Sequence, residues 1–215
     1  MSATVALIDY GSGNLRSAEK ALIRAAADLT RSPTIATTDD PDVIARADAI
    51  VLPGVGAFSA CRRALTARTG VVEAIGAAVR MRGAPFLGIC VGMQLMATRG
   101  LEFGETPGFD WIAGDVVRLE PVDPHCKVPH VGWNSLDLAA AAPLFAGLPA
   151  GTDMYFTHSF AFRVRETGDV AAWADHGGPF AAAVARDNLA GVQFHPEKSQ
   201  SAGLRLLANF LAWRP

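Results

Sequence analysis

The chain reads as an α/β fold, an open and largely parallel central sheet flanked by helices on both faces, with antiparallel strands added in the C-terminal half. Three observations predict it. Short apolar runs alternate with helical patterns up to about Gly100, which calls for right-handed crossovers and a sheet covered on both sides. One of those runs ends in a Gly-x-Cys-x-Gly turn, Gly88-Ile-Cys90-Val-Gly92, that leads into a helix. Beyond Gly100 periodic helix gives way to short β-like runs punctuated by glycine, proline and asparagine.

Val5-Ala-Leu-Ile8 is a short apolar strand, ended by Asp9-Tyr10-Gly-Ser-Gly-Asn14. Leu15 to Ala27 is helical, with Leu15, Ala18, Leu22 and Ala25 on one face. Gly11-Ser-Gly13 invites a dinucleotide reading, but the third glycine is missing, and a strand-to-helix turn capped by Asn14 is favoured. Asp42 to Ala47 forms a brief helix. Ala49-Ile-Val-Leu52 is a strand that ends in Pro53-Gly-Val-Gly56, and helix resumes near Val71–Arg82. Pro85 to Ile89 is a buried strand, and Met93-Gln94-Leu95-Met96 begins the next helix. The later runs are Val116–Leu119, Met154–Thr157, Val170–Trp173, Phe180–Ala185 and Leu189–Phe194, read as extending the sheet. Asp187-Asn188 is a hairpin turn, and an amphipathic helix closes the chain from about Ala202 to Trp213. No repeat, low-complexity tract or linker divides residues 1–215, so one domain is expected.

Composition narrows the function. Nineteen basic and twenty-one acidic residues leave a net charge of −2, with no footprint for nucleic acid or an anionic membrane. Cys61, Cys90 and Cys126 are odd in number and scattered, so neither a disulfide framework nor a metal cluster follows, and no cofactor is expected. A reducing cytoplasm suits them. Met1-Ser-Ala-Thr-Val-Ala6 lacks a basic region followed by an apolar core, and no apolar run approaches membrane-spanning length.

In the Gly-x-Cys-x-Gly turn the central side chain is lifted above the sheet and the glycines supply room. Cys90 then stands at a helix N-terminus, where the dipole favours thiolate. A buried core cysteine is the plainer alternative. A cysteine nucleophile needs a base and a group to orient that base. Of His125, His130, His158, His176 and His195, the last follows the strand Gly191-Val-Gln-Phe194 and precedes Pro196-Glu197. The strand end brings His195 to the rim that carries Cys90, and Glu197 can bond the second imidazole nitrogen. The pairing of elbow and His-Pro-Glu is far more specific than either part, and it points to a Cys90–His195–Glu197 triad.

With Pro53-Gly-Val-Gly56, Gly88-Ile-Cys90-Val-Gly-Met-Gln94 and Phe194-His-Pro-Glu197 in place, the chain resembles the class I (triad) glutamine amidotransferases. It is most similar there to the glutaminase subunits of imidazole glycerol phosphate synthase, of histidine biosynthesis. Asp9-Tyr-Gly-Ser-Gly-Asn-Leu15, Val128-Pro-His-Val-Gly-Trp-Asn134, Tyr155-Phe-Thr-His-Ser159 and His195-Pro-Glu-Lys-Ser-Gln200 carry that closer likeness. Val91, Val131 and Phe160 stand where the family more often has Leu, Met and Tyr.

The resemblance implies a flavodoxin-like glutaminase fold and hydrolysis of L-glutamine to glutamate and ammonia through a thioester on Cys90. Donors to the oxyanion would be the Val91 amide and one from Val55 or Gly56. Gln94 and Glu102 would lie near the amino-acid end of glutamine, with the backbone of His158, Ser159 and Phe160 at its carboxylate. Gln94 and Glu102 also read as ordinary polar residues of helix and loop. A (β/α)8-barrel cyclase subunit is the implied partner, docking near Asn14, His130, Trp133, Tyr155, Lys198, Ser199 and Gln200. Core packing is the other reading of Trp133. A cysteine peptidase on a related sheet, a glutaminase feeding a pyridoxal phosphate synthase and a catalytically silent binding module are the competing readings.

Overall fold

The computed structural model describes residues 3–27, 29–139 and 142–215, so Met1 and Ser2 of the N-terminal stretch lie outside it. Helices and strands alternate as the apolar pattern requires. Strand β1 (Thr4–Ile8) is followed by α1 (Leu15–Ala27), β2 (Thr34–Thr38), α2 (Pro41–Arg46) and β3 (Ala49–Gly54). Then come α3 (Phe58–Thr66), α4 (Val71–Gly76) with a π-helical extension at Ala77–Met81, and β4 (Phe86–Cys90). Helix α5 (Val91–Gln94) leads to short strands β5 (Arg99–Gly100) and β6 (Thr106–Pro107). The second half adds β7 (Gly114–Arg118), β8 (His130–Ser135), β9 (Asp137–Leu138), β10 (Asp153–His158) and β11 (Phe160–Val164). It closes with β12 (Val170–Asp175), β13 (Pro179–Arg186), β14 (Leu189–Val192) and α6 (Gln200–Ala212).

Eight strands make the main sheet, in the order β2-β1-β3-β4-β14-β13-β12-β9. The five from β2 to β14 run parallel, and β13, β12 and β9 are antiparallel. Strands β3, β4 and β14 are buried along their whole length, as expected of strands covered on both faces. Helix α1 packs with α6, and α2 with α4. Right-handed crossovers place these pairs on opposite sides. The face of α1 that turns inward carries Ala18, Ala21, Leu22, Ala25 and Ala26. Its first turn is held by the Asn14 carbonyl, which accepts from the Ser17 and Ala18 amides. Asp187 adopts φ 53° in the two-residue turn between β13 and β14, the left-handed conformation a tight hairpin needs.

Two of the later runs do not extend the main sheet. Val116–Leu119 falls on β7, within a separate sheet β11-β7-β5-β6, and Met154–Thr157 falls on β10, paired with β8 alone. The far edge of the main sheet is already taken by β12 and the short β9, so these strands pack as outlying sheets. The helix after the elbow also differs from expectation. It begins at Val91, not Met93, and lasts a single turn. The carbonyls of Leu95, Met96 and Ala97, which a longer helix would use, instead accept from the amides of Phe109 to Ile112. Among the described residues no helix is long and apolar enough to cross a membrane.

Candidate active site

Three parallel neighbours set the level of the site. Gly54 at the end of β3 pairs with Cys90 at the end of β4, and Val192 at the end of β14 pairs with Ile89. Loops distant in the sequence therefore leave the sheet side by side, at the carboxyl edge where ligands of such sheets gather. Cys90 has φ 55° and ψ −113°, a strained conformation for a residue with a side chain, and it is the residue immediately before α5. The turn leaves room for no Cβ on either side. At Gly88 one would stand 2.5 Å from the Gly92 carbonyl oxygen, and at Gly92 one would stand 1.8 Å from the Leu52 carbonyl oxygen. Those contacts are backbone, so only glycine fits.

Past β14 the chain continues through Gln193 and Phe194 to His195, whose amide donates to the Tyr155 carbonyl at 2.9 Å. Pro196–Lys198 then makes a single 3-10 turn, which returns the Glu197 carboxylate to its own histidine. Glu197 Oε1 lies 2.8 Å from His195 Nδ1, and the two side chains are 3% and 2% exposed. Ser199 fastens the turn from below, donating to the His195 carbonyl at 2.7 Å and accepting the Tyr155 amide at 3.0 Å. Burial pushes the imidazole's pKa down, but Cys90 and Glu197 outweigh it and raise the value to about 9. With Nδ1 committed to Glu197, the buried Nε2 is the ring atom left without a hydrogen-bond partner among the described residues.

Cys90 and His195 open on a cleft of about 470 Å³. Val55, Gly56 and Val91 line it, as do Gln94, Glu102, His158, Ser159 and Phe160, so every residue expected to bind substrate or oxyanion shares one wall system. Glu197 lies behind, in a small space bounded by Asn14, Pro53 and Ile89. Glu102 has a structural task too, since its Oε2 accepts the Phe58 amide at 2.8 Å and so caps α3. Gln94 donates through Nε2 to the Phe160 carbonyl and to Gln193 Oε1, both at 3.0 Å. The Val55 carbonyl accepts from the Ser12 hydroxyl at 2.8 Å and the Cys61 thiol at 3.2 Å, while the Tyr10 hydroxyl donates to Pro53 at 2.8 Å.

Two residues expected on a docking face are not on the surface. His130 is buried against Phe156, and Ser199 is buried under the His195 turn, so neither can touch a partner. Strand β8 explains the first: its inner positions are His130 and Asn134, while Val131 and Trp133 point outward. Trp133 is 49% exposed and meets Tyr155 edge to face, and the Lys198 ammonium lies 5.7 Å above the Tyr155 ring. Core packing for Trp133 is thereby ruled out. Asn14, Lys198 and Gln200 are exposed. His158 is neutral because burial lowers its pKa to about 3, and burial likewise lowers that of His130 to about 4.

Sequence reasoning missed Gln193, which donates to Cys90 Sγ at 3.7 Å. Its spacing of two from His195, at the end of the run read as a strand, was a usable signal, because residues so spaced in an extended chain share a face; β14 itself ends at Val192. Nothing local announced that the Cys61 thiol would hold the Val55 carbonyl. Pro129 and Thr157 also line the cleft unannounced. No group of metal-ligating side chains occurs among the described residues.

A parallel α/β sheet whose rim gathers an elbow cysteine, a carboxylate-held imidazole and a polar cleft defines the class of α/β enzymes built around a thiol. The chain belongs to the class-I glutamine amidotransferase family, whose model, "Glutamine amidotransferase class-I", matches residues 6–213. Imidazole glycerol phosphate synthase subunit HisH of Caulobacter vibrioides is 62% identical over 212 residues, covering 99% of each chain. The protein of the same name from Cereibacter sphaeroides is 56% identical over 209 residues, covering 97% of this chain and 98% of its own. Among solved structures, a glutamine amidotransferase superposes with a TM-score of 0.70 over 96% of this chain and 97% of that one, at 18% identity. A chain of PurLQS from Thermotoga maritima does so at 0.68 over 99% of both, with 19% identity. At such identities the structural likeness concerns the fold.

Proposed function

We propose that this chain hydrolyses the side-chain amide of L-glutamine at Cys90 and releases the ammonia to a (β/α)8-barrel cyclase subunit. Glutamine amidotransfer within imidazole glycerol phosphate synthase, in histidine biosynthesis, is the role that full-length relatedness of this degree carries. The observation that carries the mechanism is the buried His195–Glu197 pair, set beside an elbow cysteine at the mouth of one cleft.

The thiol proton passes to His195 Nε2 and Cys90 Sγ adds to the carboxamide carbon. The oxyanion is met by the Val91 amide, which has no acceptor within its one-turn helix, and by an amide of Val55 or Gly56. His195 gives its proton to the departing nitrogen, ammonia leaves, and a thioester remains. Water, deprotonated by His195, adds to the thioester carbon and releases glutamate with the free thiol. Glu197 keeps the imidazole in one tautomer and balances its charge throughout.

Both N–H donors of Gln94 are in use, so its carbonyl oxygen is the group left for the substrate ammonium, with Glu102 adding charge. Ammonia set free into water is protonated and loses nucleophilicity, which is the reason for a joined acceptor subunit. Trp133, Tyr155, Lys198, Gln200 and Asn14 form the docking face of this proposal. Residues 1–215 act as one glutaminase domain, working in the cytoplasm.

The test is glutamine hydrolysis with and without the cyclase subunit, repeated on Cys90→Ser. Loss of activity by about 10³-fold or more is expected, since the hydroxyl is a far weaker nucleophile beside the same base. Activity retained in Cys90→Ser would refute the mechanism.

A further inference from the structure

The buried polar groups around Cys90 form one chain of hydrogen bonds whose direction is fixed at every link. His158 Nδ1 lies 2.9 Å from the Phe160 carbonyl, which can only accept, so the proton of this neutral ring is on Nδ1. Its Nε2 is then an acceptor, and His130 Nδ1, 2.9 Å away, must be the donor. His130 Nε2 in turn accepts from the Asn134 side-chain amide at 3.3 Å. On the other side of Phe160, the same carbonyl accepts from Gln94 Nε2. The second hydrogen of that amide goes to Gln193 Oε1. Gln193 is completely buried, and with its oxygen held by Gln94 its NH2 can only face the Cys90 sulfur, at 3.7 Å.

We infer that Gln193 is a further residue of the reaction machinery, one that donates a hydrogen bond to the Cys90 sulfur and stabilises it as the thiolate. This rests on the reading of Cys90 as nucleophile. The reasoning is one of orientation. An amide free to turn over would present oxygen or nitrogen to the sulfur, and the oxygen would repel negative charge. Gln94 removes that freedom, because turning the Gln193 amide would set its NH2 against the NH2 of Gln94. The donor therefore stays aimed at the sulfur while the thiol proton resides on His195. Since Gln193 does not line the cleft, it acts on the sulfur and not on the bound substrate.

The experiment compares the full chain with Gln193→Met and Gln193→Glu. The rate of Cys90 alkylation by iodoacetamide is followed against pH, with the modified cysteine identified by peptide mass. Removing a hydrogen bond to a charged group should raise the midpoint of the pH profile by about one pH unit in Gln193→Met. In Gln193→Glu, where a carboxylate faces the sulfur, the midpoint should rise at least as far. Glutamine hydrolysis should lose kcat with KM within about twofold, as for an interaction made with the reacting atom alone. A midpoint unchanged in the folded variants overturns the inference, and Gln193→Glu, close in shape to the native residue, decides it if Gln193→Met does not fold. The alkylation readout needs no turnover, so this outcome is distinct from failure of the glutaminase reading, which Cys90→Ser decides.

Discussion

Glu197→Gln isolates what the carboxylate contributes to the buried pair. The substitution keeps an acceptor for His195 Nδ1 and removes the charge that faces the imidazolium. In the native protein the imidazole rises from 6.5 to about 9 against the opposing effect of burial, through Cys90 and then Glu197. A group whose pKa is higher folded than unfolded stabilises the fold fully below the unfolded value. That contribution is lost as pH climbs through the folded one. The window here runs from 6.5 to about 9. At 1.36 kcal/mol for each pH unit, the whole effect amounts to about 3 kcal/mol, of which Glu197 holds a share. Urea unfolding followed by tryptophan fluorescence at pH 6, 7.5 and 9.5 measures it. The variant should be less stable by about 1–3 kcal/mol at pH 6, with the gap closing toward pH 9.5. A gap absent at pH 6, or equally large at every pH, would refute the account of the pair.

Gly92→Ala forces a methyl group to within 1.8 Å of the Leu52 carbonyl oxygen, and no side chain can move to relieve it. Loss of about 4 kcal/mol or more is expected, seen as a collapsed melting temperature or an insoluble product; a melt within a few degrees of native would contradict the close approach. Trp133→Ala removes an outward-facing ring that is 49% exposed. The isolated chain should keep its stability to within about 0.5 kcal/mol. Affinity for the cyclase subunit, by calorimetry, should fall by tenfold or more, as for a buried aromatic anchor. Equal affinity would remove Trp133 from the docking face.

Much of the site was legible because its signals are local. A Gly-x-Cys-x-Gly turn constrains its own backbone, and a histidine two residues before a glutamate constrains that pair. Strand β2 went unread because Thr34–Thr38 is a polar edge strand without an apolar face. Helix α3 is short, and Ala57, which precedes it, has no side chain that could cap it; its cap comes from Glu102, distant in the sequence. His130 and Trp133 were grouped because they are close in the chain, although an odd spacing on a strand sends them to opposite faces. Membership of β7 and β10 in outlying sheets depends on which edges are already occupied, and no window of sequence holds that information. The same is true of the bond from Cys61 to Val55.

The level pairing of β3, β4 and β14 also governs how the protein fails when heated. The thiol sits on a rung of the most deeply buried ladder, whereas His195 lies past the end of β14 and is held by the Tyr155 carbonyl of the small β10–β8 sheet. Partial melting of that small sheet would strip the cleft of walls and release the ring while leaving the sulfur in place. Reactivity of the cysteine toward a small reagent should therefore outlast the ability to turn over glutamine, and should end only when the whole molecule comes apart.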